Sequence, residues 1–208
     1  PKKEFTWKLG ERVHRVDARE KTLGYGEYVD DMEVEGLLHA SAVRSKYPRA
    51  RVLSIDTEKA KAVPGIVDIF TAADIPGDVK VGHLVQDWDT MIPVGSITHY
   101  LGDAIALVVG ENLDVVEKAK KLVKVEYEEL PFVSSPYEAM KEDAPQVHGS
   151  GNLLAHKHVS RGNAKEAIAN AKYVYTEEFH TPWTEHAFLE PECAIAMPYE
   201  DGVLIYST

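Results

Sequence analysis

Six consecutive apolar residues, 104–109, read Ala-Ile-Ala-Leu-Val-Val and constrain the chain more than any other stretch. A run of that length and composition predicts a strand covered on both faces. Directly after it, Leu113, Val115, Val116, Ala119, Leu122 and Val123 recur at helical spacing, and residues 123–127 return to a strand pattern. A strand, helix, strand order of this kind predicts a mixed sheet with a helix packed on one side, so residues 37–130 read as a compact α+β domain.

The flanking segments follow from local punctuation. Residues 37–44 and 50–55 read as strands interrupted at Tyr47-Pro48, and a hairpin is the simple reading. Thr57 can cap a short helix over 58–63, which Pro64-Gly65 stops, and residues 66–70 resume as strand. Residues 75–95 lack a period and contain several glycines and prolines, which predicts a surface loop. Before the domain, residues 1–36 are rich in charge and glycine, with turns at Gly24-Tyr25-Gly26 and Asp30-Asp31, and read as an extended arm. Beyond Leu130, three prolines (Pro131, Pro136, Pro145) and the run 148–152 mark a connecting region. There Asn163 caps a helix through 171, and residues 173–180, 192–197 and 203–206 read as strands. The last of these has no terminal element to cover its edge, which leads to the expectation that the sheet is completed by sequence outside this chain.

Composition narrows the function classes. With 208 residues and 44% apolar content the chain can bury a real core. Its net charge is -11, and its lysines and arginines are scattered instead of forming a stripe, so nucleic acid is not the expected partner. No stretch approaches the roughly 20 uninterrupted apolar residues of a membrane helix, and the charged start is unlike a signal peptide, so the expectation is a cytoplasmic chain. The single cysteine, Cys193, excludes an internal disulfide and a Cys-ligated cluster built from this chain alone. It sits in the apolar run 193–197, where a buried, inert thiol is expected.

The densest set of functional groups is residues 183–192, which hold Thr184, Glu185, His186, Phe188, Glu190 and Glu192. A loop there could present Thr184 and Glu185 to a cleft, the carboxylate accepting a proton and the hydroxyl donating to an oxyanion or metal-oxo group. The residue types fit equally a turn in which His186 and Glu190 satisfy backbone groups while Phe188 and Leu189 enter the core. His156 and His158 would share one face of a strand, with His148 and His180 near in sequence, but no helical His-x-x-x-His spacing supports a metal site. No phosphate loop or dinucleotide fingerprint is present in the sequence.

The order of segments resembles the molybdopterin-binding subunit of the xanthine dehydrogenase and aldehyde oxidase family, the molybdenum hydroxylases. The resemblance starts at Gly10-Glu11-Arg12-Val13 and Arg15-Val16-Asp17-Ala18-Arg19 and passes through Tyr28-Val29-Asp30-Asp31, Leu37-Leu38-His39-Ala40 and Val63-Pro64-Gly65. It continues through Ala73-Asp74-Ile75-Pro76-Gly77, Tyr100-Leu101-Gly102-Asp103-Ala104 and Val125-Glu126-Tyr127-Glu128-Glu129, then reaches Glu185-His186 and Leu189-Glu190-Pro191-Glu192. It implies an N-terminal fragment organised as an arm at 1–19, an α/β hammerhead domain at 20–130, a connecting region at 131–150 and a truncated start of the molybdopterin-binding domain at 151–208. The implied fold is α+β, a hammerhead-type mixed sheet with packed helices followed by the first strands of the molybdopterin-binding domain.

The implied reaction is oxidative hydroxylation of purines or related heterocycles with water as the oxygen source. The cofactor is molybdopterin with molybdenum in the parent enzyme, with iron–sulfur clusters and FAD on other segments or subunits. By the same resemblance Thr184, Glu185, His186 and Phe188 form the near-metal, cofactor-binding stretch, while no catalytic residue and no protein metal ligand falls within these 208 residues. The family carries glutamine where the shorter Thr184 stands, and together with Phe179-His180-Thr181-Pro182 and Pro191-Glu192-Cys193-Ala194-Ile195-Ala196 this looks more like the branch described as selenium-dependent purine hydroxylases than like the animal xanthine dehydrogenases. The expected partners are the remainder of the molybdenum subunit and the iron–sulfur and FAD parts. The alternative reading is a free-standing acidic protein-interaction module that uses residues 75–95, including Trp88 and Met91, as its surface.

Overall fold

The computed structural model describes residues 9–208. In chain order the regular elements are α1 (Ala18–Leu23), β1 (His39–Arg44), β2 (Ala50–Asp56), α2 (Glu58–Lys61), β3 (Ile66–Thr71), β4 (Lys80–Val81) and β5 (Trp88–Asp89). They continue with β6 (Ala104–Gly110), α3 (Leu113–Lys120), β7 (Lys124–Glu129), α4 (Pro136–Ala139), α5 (Ala164–Ala169), β8 (Ala194–Tyr199) and β9 (Gly202–Ser207). The chain separates into two compact units, one of Gly36–Val174 and one that joins residues 9–35 to Tyr175–Thr208.

In the larger unit, β6 lies between β1 and β3 in an antiparallel sheet, with Val108 opposite Ser41 on one side and Ile69 on the other. The apolar run predicted as a strand is therefore its central strand. Ala106 and Val108 point to one face and close a core with Ile69, Ala60 of α2, and Val116 and Ala119 of α3, all buried. Sequence chemistry places α3 there. Asn112 sits in extended conformation and its Oδ1 accepts from the Val115 N–H at 3.0 Å, Asp114 stands in the first turn, and Lys118 and Lys120 stand in the last. Gly110 ends β6 without a side chain because an added Cβ would lie 3.0 Å from the Gly65 carbonyl and 3.1 Å from Val116. Its bare backbone lets the helix and the 65 turn close over the strand. Val116→Ala removes two buried methyl groups from this contact and is expected to cost about 2 kcal/mol. Urea unfolding with an unchanged slope measures it, and a cost under about 0.5 kcal/mol would contradict this packing.

On the opposite face, Ile105 joins buried Val52 and Ile92, with Ile55, Val125 and Tyr127 packed around them. Strands β2 and β7 form a separate antiparallel ladder, from Ala50 opposite Glu129 to Asp56 opposite Lys124. Thus α3 connects two different sheets, and the pair β6 and β7 is not a parallel crossover.

Several expectations need correction. Strands β1 and β2 do not form a hairpin, because β1 pairs with β6 and β2 with β7. The free edge of β2 is taken by residues 95–98, with Gly95 N–H to Val52 O at 2.7 Å and Thr98 N–H to Ala50 O at 2.9 Å. Nor is 75–95 simply a surface loop. Strands β4 and β5 pair within it, and Met91 and Ile92 are buried, the latter donating its N–H to Ala104 O at 2.9 Å. The interaction-module reading thereby loses Met91 as a surface anchor, while Trp88 keeps 41% of its surface exposed. Residues 173–180 form no strand, and neither do 156–158, so His156 and His158 share no strand face. The arm contains α1, which buries none of its residues, and the first eight residues of the arm lie outside the described residues.

In the smaller unit β8 and β9 form a hairpin with a two-residue turn, Ala194 standing opposite Ser207 and Tyr199 opposite Gly202. Only Ile195 of the pair is buried.

Candidate functional site

Among the described residues, a hydrogen-bonded polar cluster around a buried carboxylate is one that the sequence does not single out. Asp103, immediately before β6, is 2% exposed. Its Oδ2 accepts from the His99 backbone N–H and from the Tyr100 N–H at 3.3 Å, and lies 3.7 Å from His99 Nδ1. Its own carbonyl accepts from Ser45 N–H at 2.7 Å, and Ser45 O accepts from Gly102 N–H at 3.1 Å. Arg44 adds a hydrogen bond to Gly102 O at 3.0 Å. The carboxylate therefore closes the 99–103 turn on itself, and backbone bonds to Ser45 tie that turn to the end of β1. Thr98, also buried, accepts from Ala50 N–H through Oγ1 at 2.9 Å, which fixes the start of β2 to the same turn.

His99 is held above its ordinary pKa chiefly by the Asp103 carboxylate, against a lowering by burial, with Asp89 adding to the rise and Lys80 opposing it. Its ring stacks with that of His148 at 6.1 Å and lies 5.9 Å from that of Trp88. Because folding raises this pKa, the stabilisation is complete below the ordinary value of 6.5 and is lost as pH rises through the higher folded value. The expected result is that the stability of the wild type falls over this window relative to His99→Gln. Denaturant midpoints compared at successive pH values check it, and parallel curves would remove His99 as the titrating group.

Beside this turn lies a cleft of about 360 Å³ whose lining includes Arg49, Arg51, Asp89, His99, Phe132 and Gln146. Its charges are largely matched already. Arg49 donates to Pro131 O at 2.8 Å, Arg51 to Gly95 O at 2.9 Å and to Glu128 at 3.2 Å, and Asp89 pairs with Lys80 at 3.1 Å. Of its hydroxyls, Thr98 Oγ1 is engaged as well, accepting from Ala50 N–H at 2.9 Å and donating to Tyr47 O at 3.3 Å.

The stretch singled out from sequence is in the smaller unit. Thr184, Glu185, His186 and Phe188 are all exposed and outside regular structure. Ala187 adopts a positive φ of 51°, its N–H bonded to Glu185 Oε1 at 3.4 Å, and this reversal stacks the His186 and Phe188 rings at 4.9 Å and 7°. Phe188 and Leu189 do not enter a core, being 72% and 77% exposed. His180 pairs with Glu178 at 3.2 Å on the surface. Among the described residues no three His, Cys, Asp or Glu side chains gather as a metal site, and no helix is long and apolar enough to cross a membrane. Cys193 is half-buried, not fully buried as expected, and its thiol pKa is pushed up by burial first and by Asp30 beside it. That leaves it a poor nucleophile at neutral pH.

Comparison with known proteins adds the family. The profile described as aldehyde oxidase and xanthine dehydrogenase, a/b hammerhead domain, matches residues 23–131, and the profile of the molybdopterin cofactor-binding domain matches residues 147–208. The chain is 34% identical over 198 residues to the xanthine dehydrogenase molybdenum-binding subunit of Escherichia coli O157:H7, covering 90% of this chain and 26% of that protein. It is 31% identical over 196 residues to the nicotinate dehydrogenase large molybdopterin subunit of Eubacterium barkeri, covering 94% and 46%. Among solved structures, the aldehyde oxidoreductase of Desulfovibrio gigas superposes with a TM-score of 0.78 at 27% identity, over 93% of this chain and 23% of that one. The chain thus spans between about a quarter and a half of the length of these curated relatives.

Proposed function

The chain belongs to the aldehyde oxidase and xanthine dehydrogenase family, and from that membership we propose that it works as one part of a molybdenum-binding hydroxylase subunit. The reaction proposed for the whole protein is hydroxylation of purines or related heterocycles, with the new oxygen taken from water. The observation that carries this reading is the succession of two domain profiles in one chain, hammerhead and then cofactor-binding domain. The hammerhead-like α+β architecture shared with the aldehyde oxidoreductase supports it.

These 208 residues do not by themselves fit the cofactor. Thr184, Glu185, His186 and Phe188 are exposed side chains outside regular structure, and they enclose no surface among the described residues. A bound pterin needs groups that surround most of its surface. We therefore assign this chain a structural share of the activity. The larger unit is a packed body, and the 184–188 turn is presented to other parts of the protein. The cofactor is assigned to the whole subunit, and the iron–sulfur clusters and FAD to other segments or subunits.

Two expectations test this. The 208-residue chain purified alone should carry no near-stoichiometric molybdenum, and about one atom per chain would overturn its non-catalytic assignment. In the intact protein, Thr184→Ala should lower turnover per bound molybdenum by about tenfold, the scale of groups that orient a metal's own ligands. The loss of turnover should exceed any loss of folding stability, which the thermal midpoint of the same variant reads. Unchanged turnover per molybdenum would place Thr184 away from the reaction.

A further inference from the structure

A second cleft of about 510 Å³ lies where the end of β1 meets the end of α3, and it gathers Arg44 and Lys46 from one with Lys120 and Lys121 from the other. Its floor is the Tyr47 and Tyr127 pair, edge-on with ring centroids 5.2 Å apart. In sequence these cations are two separate pairs in a chain of net charge -11, and only the packing of α3 on the central sheet brings them together. Glu117 is the one carboxylate in the lining.

The four cations are not equally committed. Lys120 Nζ donates to Ser41 Oγ at 2.8 Å and pairs with Glu117 at 2.7 Å. Arg44 uses one N–H on Gly102 O and keeps the rest of its donor fork. Among the described residues, the side chains of Lys46 and Lys121 make no hydrogen bond or close ion pair, although Lys121 acts on Glu117 at longer range, and both residues are exposed. The floor is fixed independently, since Ser45 Oγ donates to Tyr47 O at 2.8 Å and accepts from Tyr47 N–H at 3.1 Å. With Lys120 paired to Glu117, the other three cations remain in excess, and a multivalent anion relieves their repulsion while taking charge-assisted hydrogen bonds from Arg44, Lys46 and Lys121. The volume lies within the range of small-molecule sites, roughly 300–1,000 Å³.

We propose that this cleft binds a compact multivalent oxyanion of the phosphate class, at a site separate from the 184–188 turn. The anion sits between Lys46 and Lys121, with Arg44 and Lys120 behind it and the tyrosine pair beneath. The source is either a free polyphosphate or a phosphate ester carrying a ring that meets the tyrosines.

The test titrates the intact protein that carries this chain with inorganic pyrophosphate and, separately, with adenosine diphosphate, by calorimetry at low ionic strength. Saturable binding of one anion per chain is expected, weakened at least about tenfold in the Lys46→Gln/Lys121→Gln double variant and unchanged in Lys59→Gln, a surface control. Tighter binding of adenosine diphosphate than of pyrophosphate identifies a ring-bearing ester as the ligand, and equal binding identifies the free anion. Thermal midpoints equal to wild type show that the variants are folded, as exposure of both lysines leads one to expect. No saturable binding up to about 10 mM, or a double variant that binds like wild type, overturns the proposal.

Discussion

Asp103→Ala is expected to remove roughly 3–5 kcal/mol of stability, the largest single-site loss in the larger unit. The substitution takes away the acceptor for the His99 and Tyr100 amides and the counter-charge of His99 at once. Each of these part-buried donors left without a partner costs about 1 kcal/mol, and the rest comes from the emptied Asp103 site and the lost His99 counter-charge. Asp103→Asn keeps one oxygen able to accept and should lose about half as much, by the net value of a charged over a neutral hydrogen bond. Urea unfolding of the pair separates the two contributions. A loss below about 1 kcal/mol for the alanine variant would show that the 99–103 turn is held by its backbone bonds to Ser45 alone.

Ile105→Ala comes next, with an expected cost of about 2–5 kcal/mol. Ile105 is fully buried between Val52 and Ile92, so its truncation opens a cavity where the β2 and β7 ladder meets the central sheet. Leu107, two positions along the same face of β6, is only half-buried and should cost less than half as much when changed to alanine. The contrast matters more than either value. Equal losses would mean that burial along this face of β6 does not set the cost of truncation, and unfolding by fluorescence and by circular dichroism would measure both.

These two residues also show how far the sequence is readable. Strands β1, β2, β3 and β6 and helix α3 follow from signals inside each segment: an apolar run, a period, Asn112 as cap, Pro64-Gly65 as stop. Pairing is a property of residues far apart. Nothing near Tyr47-Pro48 announces that residues 95–98 occupy the edge of β2, or that Asp103 draws the end of β1 to β6. The carboxylate itself is visible in Gly102-Asp103, but an aspartate before a strand is commonly an exposed turn residue, and its burial is decided by Ser45 and His99 packing around it. Met91 and Ile92 likewise lack a periodic neighbourhood, so their burial cannot be read locally. Residues 173–180 alternate well enough to read as a strand, yet alternation without a pairing partner leaves Tyr175 and Phe179 more than 80% exposed.

For the candidate site the balance is different. The cluster at 184–188 is singled out by residue density and family resemblance alone, and in the structure it is an exposed turn with stacked His186 and Phe188 rings. What it does in the whole protein depends on groups that these residues do not supply. The basic cleft is invisible in the sequence for a related reason, since Arg44, Lys46, Lys120 and Lys121 look like ordinary surface charge until α3 packs on the sheet.

The central claim is that this chain is part of a molybdenum-binding hydroxylase subunit, and the most direct test is the molybdenum content of the intact protein that carries it. Elemental analysis of that protein, purified from cells grown with molybdate, should give close to one molybdenum per copy. A folded, pure protein that contains no molybdenum under those conditions would contradict the account.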